Sequence, residues 1–176
     1  GIDVPGAELV LRIYDIAPDP KTTVVVNCAG RTRSIIGAQS LINAGIPNRV
    51  VALENGTMGW HLAGYNLDTG KVNSFSVLSD AGLIRADECA GRVADRFGVE
   101  EIDSSTLDQW RVDKTRTLYV LDVRAVTEFN IGHLSDAKPA PGGQLVQATD
   151  QFVGVRGARL VLVDDNGVRA RMTASW

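Results

Sequence analysis

The feature that most constrains this fold is an internal repeat. "VPGAELV" (residues 4–10) returns as "APGGQLV" (residues 140–146), at an offset of 136, and "VVVNCAGRTR" from Val24 returns as "VLVDDNGVR" from Val161, at an offset of 137. A repeat of this length is one structural module plus a linker. The pattern predicts that the chain begins in the middle of one module and ends in the middle of the next, with its first and last forty or so residues equivalent.

Strand and helix patterns alternate in the first part of the chain. "TTVVVN" (residues 22–27) is a short, β-branched apolar run that is typical of a buried parallel strand. Apolar residues then recur at helical spacing from Arg33 until Gly45, a helix stop signal. A second strand (residues 49–54) and a short helix (residues 57–64) follow. Alternation of this kind predicts a small α/β fold, a central and mainly parallel β-sheet flanked by helices.

The same alternation restarts after an irregular connector. Residues 65–80 carry mostly turn residues and isolated apolar positions. An amphipathic helix (residues 80–98) and a short helix capped by Ser104 or Ser105 come next. A strand at "TLYVLDVR" (residues 117–124) begins the second alternating part, in which we expect helix 126–134, a short strand near 137–140, helix 142–153 and strand 158–164.

These boundaries divide the chain into three expected parts. Residues 1–65 form the catalytic part of one repeat, 66–116 a connector with packing helices, and 117–176 the first, catalytically silent part of the next repeat. The two partial repeats are complementary, because each has the strands that the other lacks. We therefore expect strand 117–124 to join the sheet of strand 22–27, either as a permuted module in one chain or as a strand-exchanged homodimer. We expect strand 22–27, and not its later copy, to hold the central position.

Cys28 stands where the first strand ends and the helix begins. Backbone N–H groups and the helix dipole favour an anion at such a turn. A thiol there has a lowered pKa, and Arg31 and Arg33 add positive charge. Gly30 frees the backbone, and Ser34 can donate or accept a hydrogen bond at the helix start. A buried structural cysteine is the alternative, but the order strand, Cys, Gly, two Arg and helix favours a nucleophile with an anionic substrate.

Longer motifs around this turn resemble a known family. "CAGRTRSIIGAQSLINAGI" and "VVALENGTMGWHLAG" resemble the second half of a rhodanese domain, and "LDVRAVTEFNIGHLSDAKPAPGG" resembles the first half, over roughly two thirds of the chain. The resemblance implies a sulfurtransferase in which Cys28 carries a persulfide. Sulfane sulfur would move from a small anionic donor such as thiosulfate to a thiol or cyanide-like acceptor. It also implies a substrate-binding loop of Ala29, Gly30, Arg31, Thr32, Arg33 and Ser34 that supplies backbone donors and charge.

Departures from the family pattern are also informative. Asp165 replaces the cysteine in the second repeat, and a carboxylate cannot hold a persulfide, so that copy is predicted to be silent. Related phosphatases place Arg six positions after the nucleophile and His before it, whereas this chain has Ser34 and Asn27 there. A phosphatase is therefore disfavoured. The alternative from another class is a non-enzymatic regulatory module that binds an anion or a persulfide.

Composition and the remaining polar residues limit other functions. A formal net charge of −3 argues against nucleic-acid and membrane-surface partners. Two cysteines and no signal-peptide pattern favour a reducing, cytoplasmic setting. His133 lacks further ligands at metal spacing, so we expect neither a metal nor another cofactor. Cys89, in a helix without basic neighbours in a tight loop, is predicted to pack inertly, and His61 and the three tryptophans are predicted to be structural.

Overall fold

A computed structural model describes residues 1–70 and 72–176. The helices in these residues are α1 (Leu9–Ile16), α2 (Thr32–Ala44), α3 (Gly56–Leu62), α4 (Asp80–Phe97), α5 (Ser104–Val112), α6 (Val126–Ile131), α7 (Gly142–Gln147) and α8 (Val168–Ala174). Short 3₁₀ turns lie at Gly6–Glu8 and Thr149–Gln151. The strands are β1 (Val24–Val26), β2 (Val50–Ala52), β3 (Leu118–Asp122), β4 (Lys138–Pro139) and β5 (Arg159–Val163). None of the helices in the described residues is both long and apolar enough to cross a membrane.

All named strand pairs are parallel, as the sequence predicts for an α/β fold. β1 pairs with β2 in a two-stranded sheet, from Val24 opposite Val50 to Val26 opposite Ala52. β3 lies at the centre of a second sheet in the order β4–β3–β5. Its register with β5 runs along all five residues of each strand. Helices cover these strands, and the α/β class is confirmed.

The expectation that β3 joins the sheet of β1 is wrong. Within this chain β3 pairs with β4 on one edge and with β5 on the other, whereas β1 pairs with β2 in a separate sheet. The later copy, β5, takes the place beside β3, but it lies at the edge of the sheet, and the central position that we expected the earlier copy to hold belongs to β3. Nearness along the chain explains the outcome, because the entropy cost of closing a loop is lower from β3 to β5 than from β3 back to β1.

The largest core brings elements from both ends of the chain together. It contains buried apolar residues of α1, α2 and α4 together with Val26 of β1. Val168 and Met172 of α8 belong to this same core, although α8 follows β5 in the second repeat. Smaller cores lie around Leu121 and Val120 of β3. The first and last helices of the chain are therefore held together by a continuous apolar contact that includes α8.

Several element boundaries differ from the sequence prediction. α5 is capped by Asp103, not by Ser104 or Ser105. Oδ1 of Asp103 accepts a 2.8 Å hydrogen bond from the N–H of Thr106. α6 ends at Ile131 because the chain becomes extended at Gly132. The helix expected over 142–153 is divided into α7 and a 3₁₀ turn. The sequence analysis did not predict α1 and α8, which lie at the two ends of the chain.

Candidate active site

Cys28 lies in the turn between β1 and α2, which we call the Cys28 turn (residues 27–34). Its side chain is partly exposed, and its thiol donates a 3.5 Å hydrogen bond to Oγ of Ser34. Ser34 is buried, and its Oγ donates in turn to the carbonyl of Arg31 at 2.9 Å. The first turn of α2 thus holds a fixed hydroxyl against the sulfur, which remains open to solvent.

The surroundings of Cys28 favour its thiolate. Partial burial opposes ionisation, but the hydrogen bond with the Ser34 side chain and those with the backbone of Ser34 and Gly30 outweigh it. The charge of Arg33 acts in the same direction, and the pKa of Cys28 is lowered from its ordinary value. The thiol therefore has the electrostatic environment of a reactive cysteine.

The start of α3 supports the Cys28 turn. The N–H of Thr57 donates to the carbonyl of Cys28 at 2.9 Å, and the N–H of Met58 donates to that of Ala29 at 3.0 Å. Gly56 has a φ of 59°, and a Cβ atom there would lie 2.2 Å from the Cys28 carbonyl oxygen. These residues were missed in the sequence. The Asn-Gly pair at 55–56, a turn signal, marks the place but not the contact.

The polar groups around the sulfur remain free for a ligand. Arg31, Thr32 and Arg33 are exposed. Within residues 1–70 and 72–176, neither arginine side chain has a hydrogen-bond or salt-bridge partner, and no backbone carbonyl accepts from the N–H groups of Arg31, Thr32 and Arg33. The structure places all the residues that were predicted for the site, from Cys28 to Ser34, in this one turn. The arrangement can hold an anion next to a thiolate.

A solved structure supports the resemblance seen in the motifs. No family model and no curated protein matches the chain. The chain is similar to a crystallised thiosulfate sulfurtransferase from Pseudomonas aeruginosa, with 60% sequence identity and a TM-score of 0.97 over 100% of this chain. The chain belongs to the rhodanese-like family. It spans 34% of the length of the crystallised chain, about a third.

A second strand-to-helix turn connects β5 to α8 at the position that the sequence repeat pairs with the Cys28 turn, and we call it the Asp165 turn (residues 164–171). The carboxylate of Asp164 accepts hydrogen bonds from the N–H groups of Gly167 at 2.6 Å, Arg169 at 2.9 Å and Ala170 at 3.3 Å. Asp165, at the position of Cys28, binds Nη2 of Arg169 at 2.6 Å. Carboxylates of the protein itself occupy the donors of this turn.

Cys89, the other thiol of this rhodanese-like chain, is buried and packs in the largest core, which confirms the predicted packing. The structure adds a basic contact that the sequence analysis did not expect. Nη2 of Arg92, one turn further along α4, lies 3.1 Å from the sulfur, and the hydroxyl of Tyr14 lies 3.0 Å from it. Burial, together with the Cys89 contact, raises the pKa of Tyr14 to about 12. Cys89 is therefore well separated from solvent by polar and apolar neighbours.

The predicted structural role of His133 is confirmed, since its ring stacks on Phe129 at 3.7 Å and its Nδ1 lies 2.8 Å from the Phe129 carbonyl oxygen. The tryptophans are less buried than we expected. Trp60 is 41% exposed and Trp176 is 51% exposed. Trp110 packs under the guanidinium of Arg159 at 5.0 Å. Trp176 reaches Oγ of Ser40 with its Nε1 at 3.0 Å, which fixes it on the surface of α2.

Proposed function

We propose that this rhodanese-like chain supplies the catalytic half-site of a sulfurtransferase, with Cys28 as the nucleophile. The partly exposed thiol at the start of α2, with its pKa lowered by Gly30, Ser34 and Arg33, is the observation that carries the proposal. The name of the similar crystal structure points to thiosulfate as the donor.

Two displacement steps account for the transfer. The Cys28 thiolate attacks the outer sulfur of thiosulfate, a new S–S bond forms, and the bond between the two sulfurs of the donor breaks. Sulfite leaves with the electron pair. A thiophilic acceptor, such as a thiolate or cyanide, then attacks the terminal sulfur of the persulfide, and the Cys28 thiolate leaves.

The other residues of the turn bind the donor and stabilise charge. The free N–H groups of Arg31, Thr32 and Arg33 are suited to sulfonate oxygens, and so are the two guanidinium groups. Ala29 and Gly30 shape the turn, while Ser34 holds the sulfur. The N–H groups that stabilise the thiolate also stabilise the persulfide, because both carry negative charge at the same turn.

The Asp165 turn cannot perform this chemistry, and we propose that residues 117–176 act as a packing unit, with residues 66–116 as the connector and residues 1–65 as the catalytic part. A reducing, cytoplasmic setting suits a free thiol of this kind. The same setting suits small anionic donors and thiol acceptors as partners.

The test is the mass of the purified protein after incubation with thiosulfate. We expect an increase by one sulfur atom on the peptide that contains Cys28, and its loss when cyanide is added. Cys28→Ser should abolish both the adduct and the turnover, whereas Cys89→Ser should keep both. Equal loss in the two variants would contradict the assignment of the nucleophile. An adduct without turnover would favour the regulatory module that binds a persulfide.

A further inference from the structure

A cavity of about 190 Å³ lies between the two partial repeats. The 3₁₀ turn Gly6–Glu8 and α2 form one side, and α7 and the end of α8 form the other. Cys28 does not line it. Apolar side chains such as Val10, Val146 and Met172 form much of the wall. A cavity of roughly 150 Å³ with such a wall accommodates benzene, so this one has room for a six-membered ring with one small substituent.

The polar groups of the cavity indicate the charge of its ligand. Arg33 and Arg124 both line it. Arg124 is already bound, with Nη2 at 2.6 Å from Asp122 and 2.7 Å from the carbonyl of Gly132. The carboxylate of Glu8 is held by Arg12 and Arg169. Arg33 has no ion-pair partner among the described residues, so a ligand that enters the cavity meets an unpaired positive charge.

We propose that this cavity binds a small aromatic carboxylate, whose charge pairs with Arg33 and thereby decreases the reactivity of Cys28. The aromatic ring contacts the apolar wall, and the carboxylate lies at the exposed guanidinium. Trp176, which also lines the cavity, reports on its occupancy.

Arg33 connects the cavity with the nucleophile. Its charge is one of the causes of the lowered pKa of Cys28. An anion paired with Arg33 cancels part of that charge and disfavours the thiolate. By linkage, ionisation of Cys28 weakens binding of the carboxylate by the same factor. This regulatory part of the inference rests on the proposed function, whereas the binding part does not.

The binding part is tested by fluorescence titration with sodium benzoate. In a Trp60→Phe/Trp110→Phe background the emission comes from Trp176. We expect a saturable change with a dissociation constant on the order of 10 mM or tighter, and none with sodium acetate at equal ionic strength. Neutral benzamide should bind through the ring alone. Absence of a saturable benzoate response would overturn the proposal.

Two arginine variants form a matched pair, because both arginines are exposed in the same turn but only Arg33 lines the cavity. Arg33→Gln should weaken the binding of benzoate by about fivefold and leave the binding of benzamide unchanged. Arg31→Gln should change the affinity for neither ligand. Val146→Phe and Ala7→Leu fill the cavity from opposite walls, and each folded variant should lose both ligands. Equal effects of the two arginine variants, or unchanged binding in the filled variants, would overturn the site.

The regulatory part is tested by alkylation of Cys28 with iodoacetamide, measured as a function of pH on the Cys28 peptide by mass spectrometry. Saturating benzoate should move the midpoint of the alkylation profile to higher pH in the wild-type chain. In Arg33→Gln the midpoint should stay where it is. An unmoved midpoint with benzoate bound would overturn the coupling. The experiment needs no sulfur transfer, so a failure of the proposed sulfurtransferase activity would be seen separately, as a missing thiosulfate adduct.

Discussion

The Cys28 turn and the Asp165 turn are two copies of one strand-to-helix connection with opposite internal chemistry. In the first copy the thiol is partly exposed, and the side chains of Arg31 and Arg33 have no partners among the described residues. In the second copy Asp164 occupies the backbone donors, and Arg169 neutralises Asp165. The backbone N–H groups of the second turn bind a carboxylate of the protein, whereas the N–H groups of Arg31, Thr32 and Arg33 in the first turn have no backbone acceptor among the described residues. The two turns therefore differ in whether the protein itself supplies the group that accepts from these donors.

Burial separates the two turns in the same way. Arg169 is 1% exposed and binds Glu8, Glu128 and Asp165. Burial opposes its charge, but these carboxylates outweigh burial and raise the pKa of Arg169 above its ordinary value. A buried charge of this kind is stable only with its partners in place. Arg169 therefore ties the Asp165 turn to the interior of the protein, whereas Arg31 and Arg33 of the Cys28 turn lie at the surface.

The largest effect that we predict is on the buried ion pairs of the Asp165 turn. Arg169→Ala leaves the buried carboxylate of Glu8 without its partner from α8 and should lower the free energy of unfolding by about 3–5 kcal/mol. Chemical denaturation measures it. The control is Arg111→Ala, which removes exposed salt bridges to Asp108 and Asp136 and should change stability little. Equal effects of the two variants would show that the buried ion pairs of Arg169 stabilise the fold no more than exposed ones do.

The next prediction concerns the contact that supports the Cys28 turn. In Gly56→Ala the new Cβ atom meets the carbonyls of Cys28 and Gly30 at 2.2 and 2.3 Å, so the Cys28 turn must move. We expect the free energy of unfolding to fall by at least about 2 kcal/mol. The variant should also form only a small part of the thiosulfate adduct that the wild-type chain forms.

Gly64→Ala is its matched control. Gly64 also has a positive φ of 85°, but nothing lies within 4 Å of its Cβ position. This variant should lose only about 1 kcal/mol and keep the adduct. Full adduct formation in folded Gly56→Ala would show that the contact with α3 does not position the nucleophile.

A smaller effect should separate the two arginines of the Cys28 turn. The charge of Arg33 contributes to the lowered pKa of Cys28, so Arg33→Ala should raise that pKa and move the alkylation profile to higher pH. Arg31 is not among the causes of the shift, and Arg31→Ala should keep the wild-type profile. Both variants should raise the KM for thiosulfate. Identical pH profiles in all three proteins would contradict the role assigned to Arg33.

The smallest expected effect is none at all. Asp165→Cys places a thiol at the position that corresponds to Cys28, but Asp164 still fills the backbone donors beside it. In a Cys28→Ser background this variant should form no adduct with thiosulfate, as measured by mass spectrometry. An adduct on the introduced thiol would show that the identity of one residue is the whole difference between the two turns.

Local features could be predicted from the sequence, and contacts between distant segments could not. The Cys28 turn was found because its strand, its nucleophile and its helix follow one another within twenty or so residues. The repeat in the sequence pairs Cys28 with Asp165, and the structure has a strand-to-helix turn at both residues. Gly56 and Arg169 were missed because their importance comes from partners elsewhere in the fold: Gly56 lies against the Cys28 carbonyl, and Arg169 is 161 positions away from Glu8. The error over β3 has the same origin, since strand patterns alone do not choose between two similar neighbours.

The ion pair between Glu8 and Arg169 joins residues from the two ends of the chain, and α8 packs in the core with α1 and α4. Noncovalent contacts therefore connect the N-terminal and C-terminal elements of the chain, although no covalent bond joins them. A single protease cut in the exposed connector after α3 would leave two fragments that remain associated, because the broken bond is not what holds them. The cut protein would elute as one species under native conditions, and its fragments would separate only when α4 and α8 are both released from α1.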